Sequence, residues 1–412
     1  MAQAIVLGAG MVGISAALHL QQRGFDVTLV DRREPGEETS YGNAGIIQTE
    51  AVEPYAMPQD LATLFAIALQ RSNDVHFHWR AFPSYARPLL AYWWNSTGSV
   101  YQRIARTYSG LIVRASEEHQ PFIEASGSDG LIRRTGYRSL YRTASRLAKA
   151  KAAAQRIKDT YGVDSDVIEP EALTAAEPAL KTGGAGAIHW KPSWSVRDPG
   201  ALAAAYARLF VERGGNIIRA DAMGLAQTPA GGWRLPVGDG TIEAEHAVIA
   251  LGPWSPHLAL KFGYKVPMFL KRGYHQHYLL EPQLQMPLHD PERGYFMAPM
   301  VRGLRITTGA ELAEQSASQT PVQLMKAETA AKELLPLGAK VENMPWLGAR
   351  PCMPDMLPVV GPSSRHKGLW FDFGHGHQGL TLGPATGRLL AEMMTGEAPI
   401  VDPTPFSPAR FR

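Results

Sequence analysis

AIVLGAGMVGISAALHLQQRGFDVTLVD, residues 4–31, decides the fold of this chain. Residues 4–7 are a short apolar strand, the run from Gly8 to Gly13 is a glycine turn, and residues 14–23 form a helix with apolar Ala17, Leu18 and Leu20. Gly24 stops that helix, and residues 27–30 make a second strand ending at Asp31. Gly8 permits a sharp turn, Gly10 lets the backbone approach a pyrophosphate, and Gly13 lets helix pack closely on sheet. Free N–H groups at the helix start, with Met11 and Val12, face the anion, aided by the helix dipole. Asp31 stands where an acid accepts the hydroxyls of an adenosine ribose. Arg32 and Arg33 raise the thought of a 2′-phosphate, but Asp31 would repel it, which argues against NADP. The segment alone leaves FAD and NAD open.

Outward from this core, 412 residues suit two domains, and a 45% apolar share suffices for a sizeable core. Charged residues make up 19%, below the roughly 25% of an average soluble protein, so charge-driven disorder is excluded. The net charge of +3 is spread out, with no basic block dense enough for nucleic acid. A single cysteine, Cys352, rules out an internal disulfide framework and Cys-rich metal sites. The N-terminal stretch lacks a basic n-region and is broken by glycines, so it is expected to belong to the fold rather than to a signal peptide. No window approaches about 18 uninterrupted apolar residues, so no transmembrane span is expected.

Three further segments favour FAD. Residues 40–47 read SYGNAGII, a small-residue loop that lets the chain run along a pyrophosphate and past a flat ring. Residues 247–255, AVIALGPWS, have a buried-strand pattern ending in Gly252 and Trp254. Far along the chain, residues 374–387 read GHGHQGLTLGPATG and lead into an apolar helix over 384–394. A nicotinamide domain needs no second glycine-rich helix start, whereas a flavin does. Its reduced ring carries negative charge that a helix N-terminus around residues 379–382 would stabilise.

These motifs, with WLGARPCMPDMLPVVG at 346–361, occur in one order. Together the chain resembles the FAD-dependent D-amino-acid dehydrogenases, within the wider D-amino-acid oxidase, glycine oxidase and sarcosine oxidase group. The resemblance is weakest over residues 52–143. It implies an α/β architecture: a Rossmann-like FAD-binding domain from residues 1–50, 143–262 and 345–412, plus an α+β substrate-binding cap with a mostly antiparallel sheet from 51–142 and 263–344. The expected FAD contacts are Gly8, Gly10, Met11, Val12 and Gly13; Asp31 and Arg32; Ser40, Gly42, Asn43, Ala44, Gly45 and Ile46; Ala222, beside the adenine; Gly252 and Trp254; and His375, Gly376, Gly379, Leu380 and Thr381. Residues 199–213 read as a helix and 216–225 as a strand, residues 60–124 as helical and aromatic-rich, and 266–310 as alternating strands.

A flavin that oxidises an amine must hold the substrate Cα–H over N5. An amino-acid carboxylate calls for a planar, permanent cation, which arginine supplies in bidentate form. Arg350, in GARP, is that candidate, and the matching arginine clamps carboxylate in glycine oxidase-like relatives. Tyr274 and Tyr295 are candidate second donors, each equally able to be a core aromatic. His377 matches a position that presents a polar side chain to the carboxylate, and His375 is expected at a flavin edge. His-x-His occurs at 76/78, 275/277 and 375/377, but no third ligand has persuasive spacing, so no metal is expected. The family's cysteine tether aligns near Gly348 rather than Cys352, so FAD is expected to be non-covalent.

The expected activity is oxidative deamination of a D-amino acid by hydride transfer from Cα to N5, giving a 2-oxo acid and ammonia. The alternative is a secondary-amine or N-methyl amino-acid oxidoreductase of the sarcosine or hydroxyproline type; more remote is a non-catalytic flavin-binding partner. The electron acceptor, a quinone or another, and the oligomeric state stay open. The aromatic run over 76–94 reads first as core and cap helices. As a surface it would rest on a membrane, so the expected location is cytoplasmic, with a peripheral seat on the cytoplasmic membrane face as the second reading.

Overall fold

A computed structural model describes residues 2–70 and 73–411. The opening segment forms strand Gln3–Leu7, helix Met11–Gln22 and strand Asp26–Asp31. A six-stranded sheet grows around it in the order Asn216–Arg219, Asp26–Asp31, Gln3–Leu7, His246–Ile249, Leu369–Phe373, Val359–Pro362. All neighbours are parallel except the last pair. The unit is therefore assembled from the beginning, middle and end of the chain.

What joins the two ends is a helix pair. Gly383 and Gly387, one turn apart on helix Gly379–Thr395, open a groove for helix Met11–Gln22. A Cβ on Gly387 would stand 2.7 Å from Ala16 N, and one on Gly383 3.0 Å from Met11 Cγ. The helix starts at Gly379, within the 379–382 stretch expected to hold its N-terminus, and Pro384, where the apolar pattern begins, lies inside it. Proline has no N–H for the carbonyl of Leu380, four residues back. Buried His119 supplies the missing donor, its Nε2 lying 2.8 Å from Leu380 O. The helix is thus continuous across a residue that normally starts one.

The second, ten-stranded sheet is mostly antiparallel. Its centre is strand Phe269–Tyr278, paired with Gly303–Thr308 and Ala310–Leu312 on one side and Trp346–Cys352 on the other. Side chains on a strand alternate between faces. One face buries Tyr274, Tyr278, Tyr295, Met297, Leu304 and Ile306 against helix Val322–Leu334. The other carries Lys271, Gly273 and His275, with Arg350 as the register partner of Lys271.

Sheet membership departs from the boundaries expected at 143 and 345. Strands Ser165–Ile168 and Gly186–Trp190 extend the large sheet beyond Tyr137–Tyr141, and Trp346–Cys352 also belongs to it. Apolar alternation marks a half-buried strand but not which sheet receives it. The expected strand over 216–225 ends at Arg219, followed by a 3₁₀ turn, Ala222–Gly224, in which Asp221 Oδ1 accepts from Met223 N at 2.9 Å.

Candidate active site

A cavity of about 1030 Å³ runs between the two sheets, from Asp31 and Ala222 to Arg350. At its first end the three fingerprint glycines have separate causes. Gly8 takes φ +111°, and a Cβ there would collide with Ala250 O. A Cβ on Gly13 would collide with Gly8 O, so Gly13 serves helix-on-strand packing and does not line the cavity. Gly10 has only Ser40 Oγ nearby, at 3.4 Å from such a Cβ, leaving its backbone open to a ligand. Asp31 accepts from Ala9 N at 2.7 Å and Arg33 N at 3.0 Å, which fixes its carboxylate at the cavity wall. Ser40 Oγ accepts from Met11 N at 3.0 Å and ties the small-residue loop to the helix start. Arg32 stacks over Trp254, 4.4 Å from the ring centroid, and pairs with Glu38 at 2.9 Å. Ala222, Gly252 and Trp254 line the same end.

The loop after Ser40 is held by both sheets. Gly42 lines the cavity, but a side chain there would strike the Trp346 ring, which also stacks on His275 at 4.9 Å. Asn43 donates to His377 O at 3.3 Å and accepts from Gly45 N at 2.8 Å. Two expected contacts lie behind the wall rather than on it. Gly45 is glycine because Val196 O occupies its side-chain position, and Thr381 Oγ1 donates to Ile46 O at 3.3 Å. Val12, Ala44, Ile46, Gly376, Gly379 and Leu380 do line it. The open backbone at Gly10 and two helix N-termini, at Met11 and Gly379, on one elongated cavity fit FAD.

At the far end, Arg350 donates to Gly309 O at 2.8 Å and Thr308 O at 2.9 Å. Among the described residues no carboxylate pairs with it. Its strand neighbour Lys271 lies 3.3 Å from Tyr92 Oη and 4.4 Å from that ring's centroid. His377 packs edge-on against Tyr55 at 4.7 Å. Its Nε2 lies 3.1 Å from the Gln378 amide nitrogen, which also donates to Gln48 Oε1 at 2.8 Å. The imidazole therefore carries its proton on Nδ1. Burial first, then Arg350 and Lys271, hold His377 down to about 3, so it is neutral. Burial pushes the Cys352 thiol up, against the pull of the same two cations.

Tyr274 and Tyr295, expected as second donors, both border the cavity, but their hydroxyls are engaged away from Arg350. Both side chains belong to the apolar face packed on helix Val322–Leu334, opposite the face of Arg350. Tyr274 Oη accepts from Thr320 N at 2.7 Å and lies 3.0 Å from Glu311. Tyr295 is buried beside Asp290 and Arg142, and burial with Asp290 raises its phenol. The strand is the expected one; the parity is not. Lys271, three residues before Tyr274 and of opposite parity, is the residue the sequence reading missed.

His375 is buried with Nε2 3.0 Å from Thr386 Oγ1 and 3.4 Å from Asp372, at the cavity's edge. Burial lowers His375 to about 3 and pushes Asp372 well above the carboxylate range. His76 and His78 gain a third neighbour, Glu311, that spacing did not reveal. Glu311 is, however, paired with buried Arg272 at 2.6 Å, a fixed positive charge that opposes a metal ion. His277 sits between Glu342 and Arg305, so it and its neighbour His275 serve packing and polar networks.

The aromatic run divides. Tyr85 and Tyr92 are buried against Phe269, while Trp79, Phe82, Leu90 and Trp94 are exposed. No helix among the described residues is long and apolar enough to cross a membrane.

The profile of a family described as FAD dependent oxidoreductase, DAO, matches residues 3–393. The chain is 29% identical over 430 residues to a D-amino-acid oxidase of Bradyrhizobium diazoefficiens, covering 98% of each. It is 30% identical over 419 residues to D-amino acid dehydrogenase 2 of Pseudomonas aeruginosa, covering 99% of each. The fold superposes on glycine oxidase from Geobacillus kaustophilus with a TM-score of 0.73 at 22% identity, over 99% of this chain and 98% of that one.

Proposed function

The chain belongs to the DAO family of FAD dependent oxidoreductases, and from that premise we propose that it oxidatively deaminates a D-amino acid whose carboxylate is held by Arg350. The observation that carries this reading is the Arg350 guanidinium, bordering the cavity beside the Gly374–Gly379 loop without a carboxylate partner among the described residues. Two of its N–H groups are spent on main-chain carbonyls, which fix its plane; others remain for a bidentate carboxylate. The names of the D-amino-acid relatives support the same substrate class.

Bound FAD supplies a two-electron acceptor for hydride. The chain's own residues bind and orient. Arg350 fixes the carboxylate, neutral His377 adds a polar Nδ1–H, and the wall of Tyr85, Leu89 and Tyr92 limits water. With FAD bound, the Cα–H electron pair would leave as hydride while the amine lone pair forms C=N, and an N–H proton would pass to water. Water then adds to C=N and expels ammonia, leaving the 2-oxo acid. An amine entering a desolvated site in its neutral form needs no side-chain base.

The test is anaerobic titration of the flavin absorbance. D-amino acids bleach it and their L-enantiomers do not. Bleaching by sarcosine or imino acids with none by any D-amino acid transfers the activity to the secondary-amine class.

A further inference from the structure

Two cations face the substrate end of the cavity, and an amino acid's carboxylate answers only one. Lys271 and Arg350 are directly opposed in the antiparallel register, on the same face of the large sheet. Neither forms an ion pair with a carboxylate among the described residues, although both border the cavity. Arg350 leans over Gly273 toward Thr308 and Gly309, while Lys271 leans toward Tyr92 and Phe269. The two heads are thus held apart by different anchors, as two anchor points rather than one.

Lys271 is held as a cation. Burial and the nearby Arg350 work to lower it, yet its ammonium donates to Tyr92 Oη at 3.3 Å and it stays above the ordinary lysine value. The Tyr92 ring at 4.4 Å and the Phe269 ring at 5.5 Å stabilise an ammonium through their faces. An ammonium needed only for packing would be expected beside a carboxylate, because an uncompensated charge in a desolvated wall is costly. A second nearby cation makes that cost larger.

We infer that Lys271 is a specificity-determining residue and that the substrate is an amino acid bearing a second carboxylate, of the aspartate or glutamate kind. Arg350 takes the α-carboxylate and Lys271 the side-chain carboxylate. This rests on the proposed D-amino-acid reading, and its experiment separates the two.

Two measurements on the FAD-loaded protein decide it. In the first, malonate and succinate are titrated against acetate and propionate, following the perturbation of the flavin spectrum. The dicarboxylates bind at least about tenfold tighter, Lys271→Met abolishes the preference, and Lys271→Arg keeps it. Equal affinity of mono- and dicarboxylates, or a preference that survives Lys271→Met, overturns the inference without reference to turnover. In the second, the ratio of kcat/KM for D-aspartate or D-glutamate to that for D-alanine falls about thirtyfold or more in Lys271→Met and is restored in Lys271→Arg. An equal loss for acidic and neutral substrates overturns it, as does a shifted flavin potential with an unchanged ratio, which would assign Lys271 to the cofactor's charge. If no D-amino acid reduces the wild-type flavin while dicarboxylates still bind preferentially, the D-amino-acid reading fails and the two-anion site stands.

Discussion

The Arg350 guanidinium lies over Gly273 with no room for a side chain between them: a Cβ there would stand 2.6 Å from Nη2 and 2.7 Å from Nη1. Gly273 has ordinary strand backbone, so its identity reflects this close approach rather than a turn. Gly273→Ala must therefore push the guanidinium off the carbonyls of Thr308 and Gly309. The expected result is a KM for the amino acid raised about tenfold or more, equivalent to about 1.4 kcal/mol, with FAD still bound. An unchanged KM would show that the clamp lies elsewhere.

Arg350→Lys keeps the charge and loses the fork. A point-like ammonium cannot bond two carbonyls and a carboxylate in one plane. Hydrogen bonds to charged groups are worth about 1.5–3 kcal/mol, so the apparent Michaelis constant rises roughly ten- to a hundredfold. Steady-state kinetics beside the flavin-to-protein absorbance ratio check this, because a loss confined to FAD content would make Arg350 structural.

The two variants also mark how far the sequence carried. The dinucleotide turn was legible because its glycines act over short distances, on Ala250, Gly8 and the ligand. Arg350 was legible from its motif. Tyr274 was misassigned because choosing a strand leaves a twofold choice of face, and only the register with Trp346–Cys352 shows that Lys271 and Gly273 share the face of Arg350. The glycine-rich turn marks a helix start at 379–382, while the apolar pattern begins only at Pro384, a residue that breaks most helices. The helix continues through it because His119, remote in sequence, satisfies the orphaned Leu380 carbonyl. Long-range compensation of this kind leaves no local trace.

Acid should destabilise the fold well above the carboxylate range. Burial holds His19, His289, His375 and His377 to about 3, His119 and His277 to about 4, and His275 to about 2. Their unfolded value is 6.5, so below it the unfolded chain binds more protons and stability falls with pH. The stability from these groups is fully present above 6.5 and is lost progressively toward their folded values. Glu50, Glu118, Glu177, Asp290 and Asp372, which burial raises, act in the opposite sense, but burial also lowers His76, His189, His246 and His366, so these five stand against eleven histidines. The urea midpoint of the FAD-loaded protein should drop between pH 6.5 and 4.5. A flat profile would mean that these imidazoles charge freely in the folded state.

Cys352 borders the cavity within reach of the flavin loop, with Sγ 3.8 Å from a Cβ placed on Gly376. A thioether requires the thiolate, and burial keeps this thiol protonated. Acid precipitation should leave a colourless pellet and all the flavin in the supernatant. Yellow pellet that resists washing would make Cys352 a covalent anchor.

The outer surface of the same cavity wall is apolar. Helix Leu61–Ala68 has no buried residue; Thr63, Leu64 and Ile67 face the cavity, while Leu61 and Phe65 are exposed at 83% and 65%. Trp79, Phe82, Leu90 and Trp94 extend this apolar surface, with exposed Arg80 and Arg87 among them. Tryptophan and arginine together suit an anionic lipid interface, where rings enter the headgroup layer and guanidinium groups meet phosphates. The FAD-loaded protein should co-sediment with phosphatidylglycerol vesicles more than with phosphatidylcholine vesicles. The double variant Leu61→Ser and Trp94→Ser should reduce that binding severalfold. Equal recovery in the supernatant with and without vesicles would leave this surface as the bare outside of a cap and remove the membrane from the account of the electron acceptor.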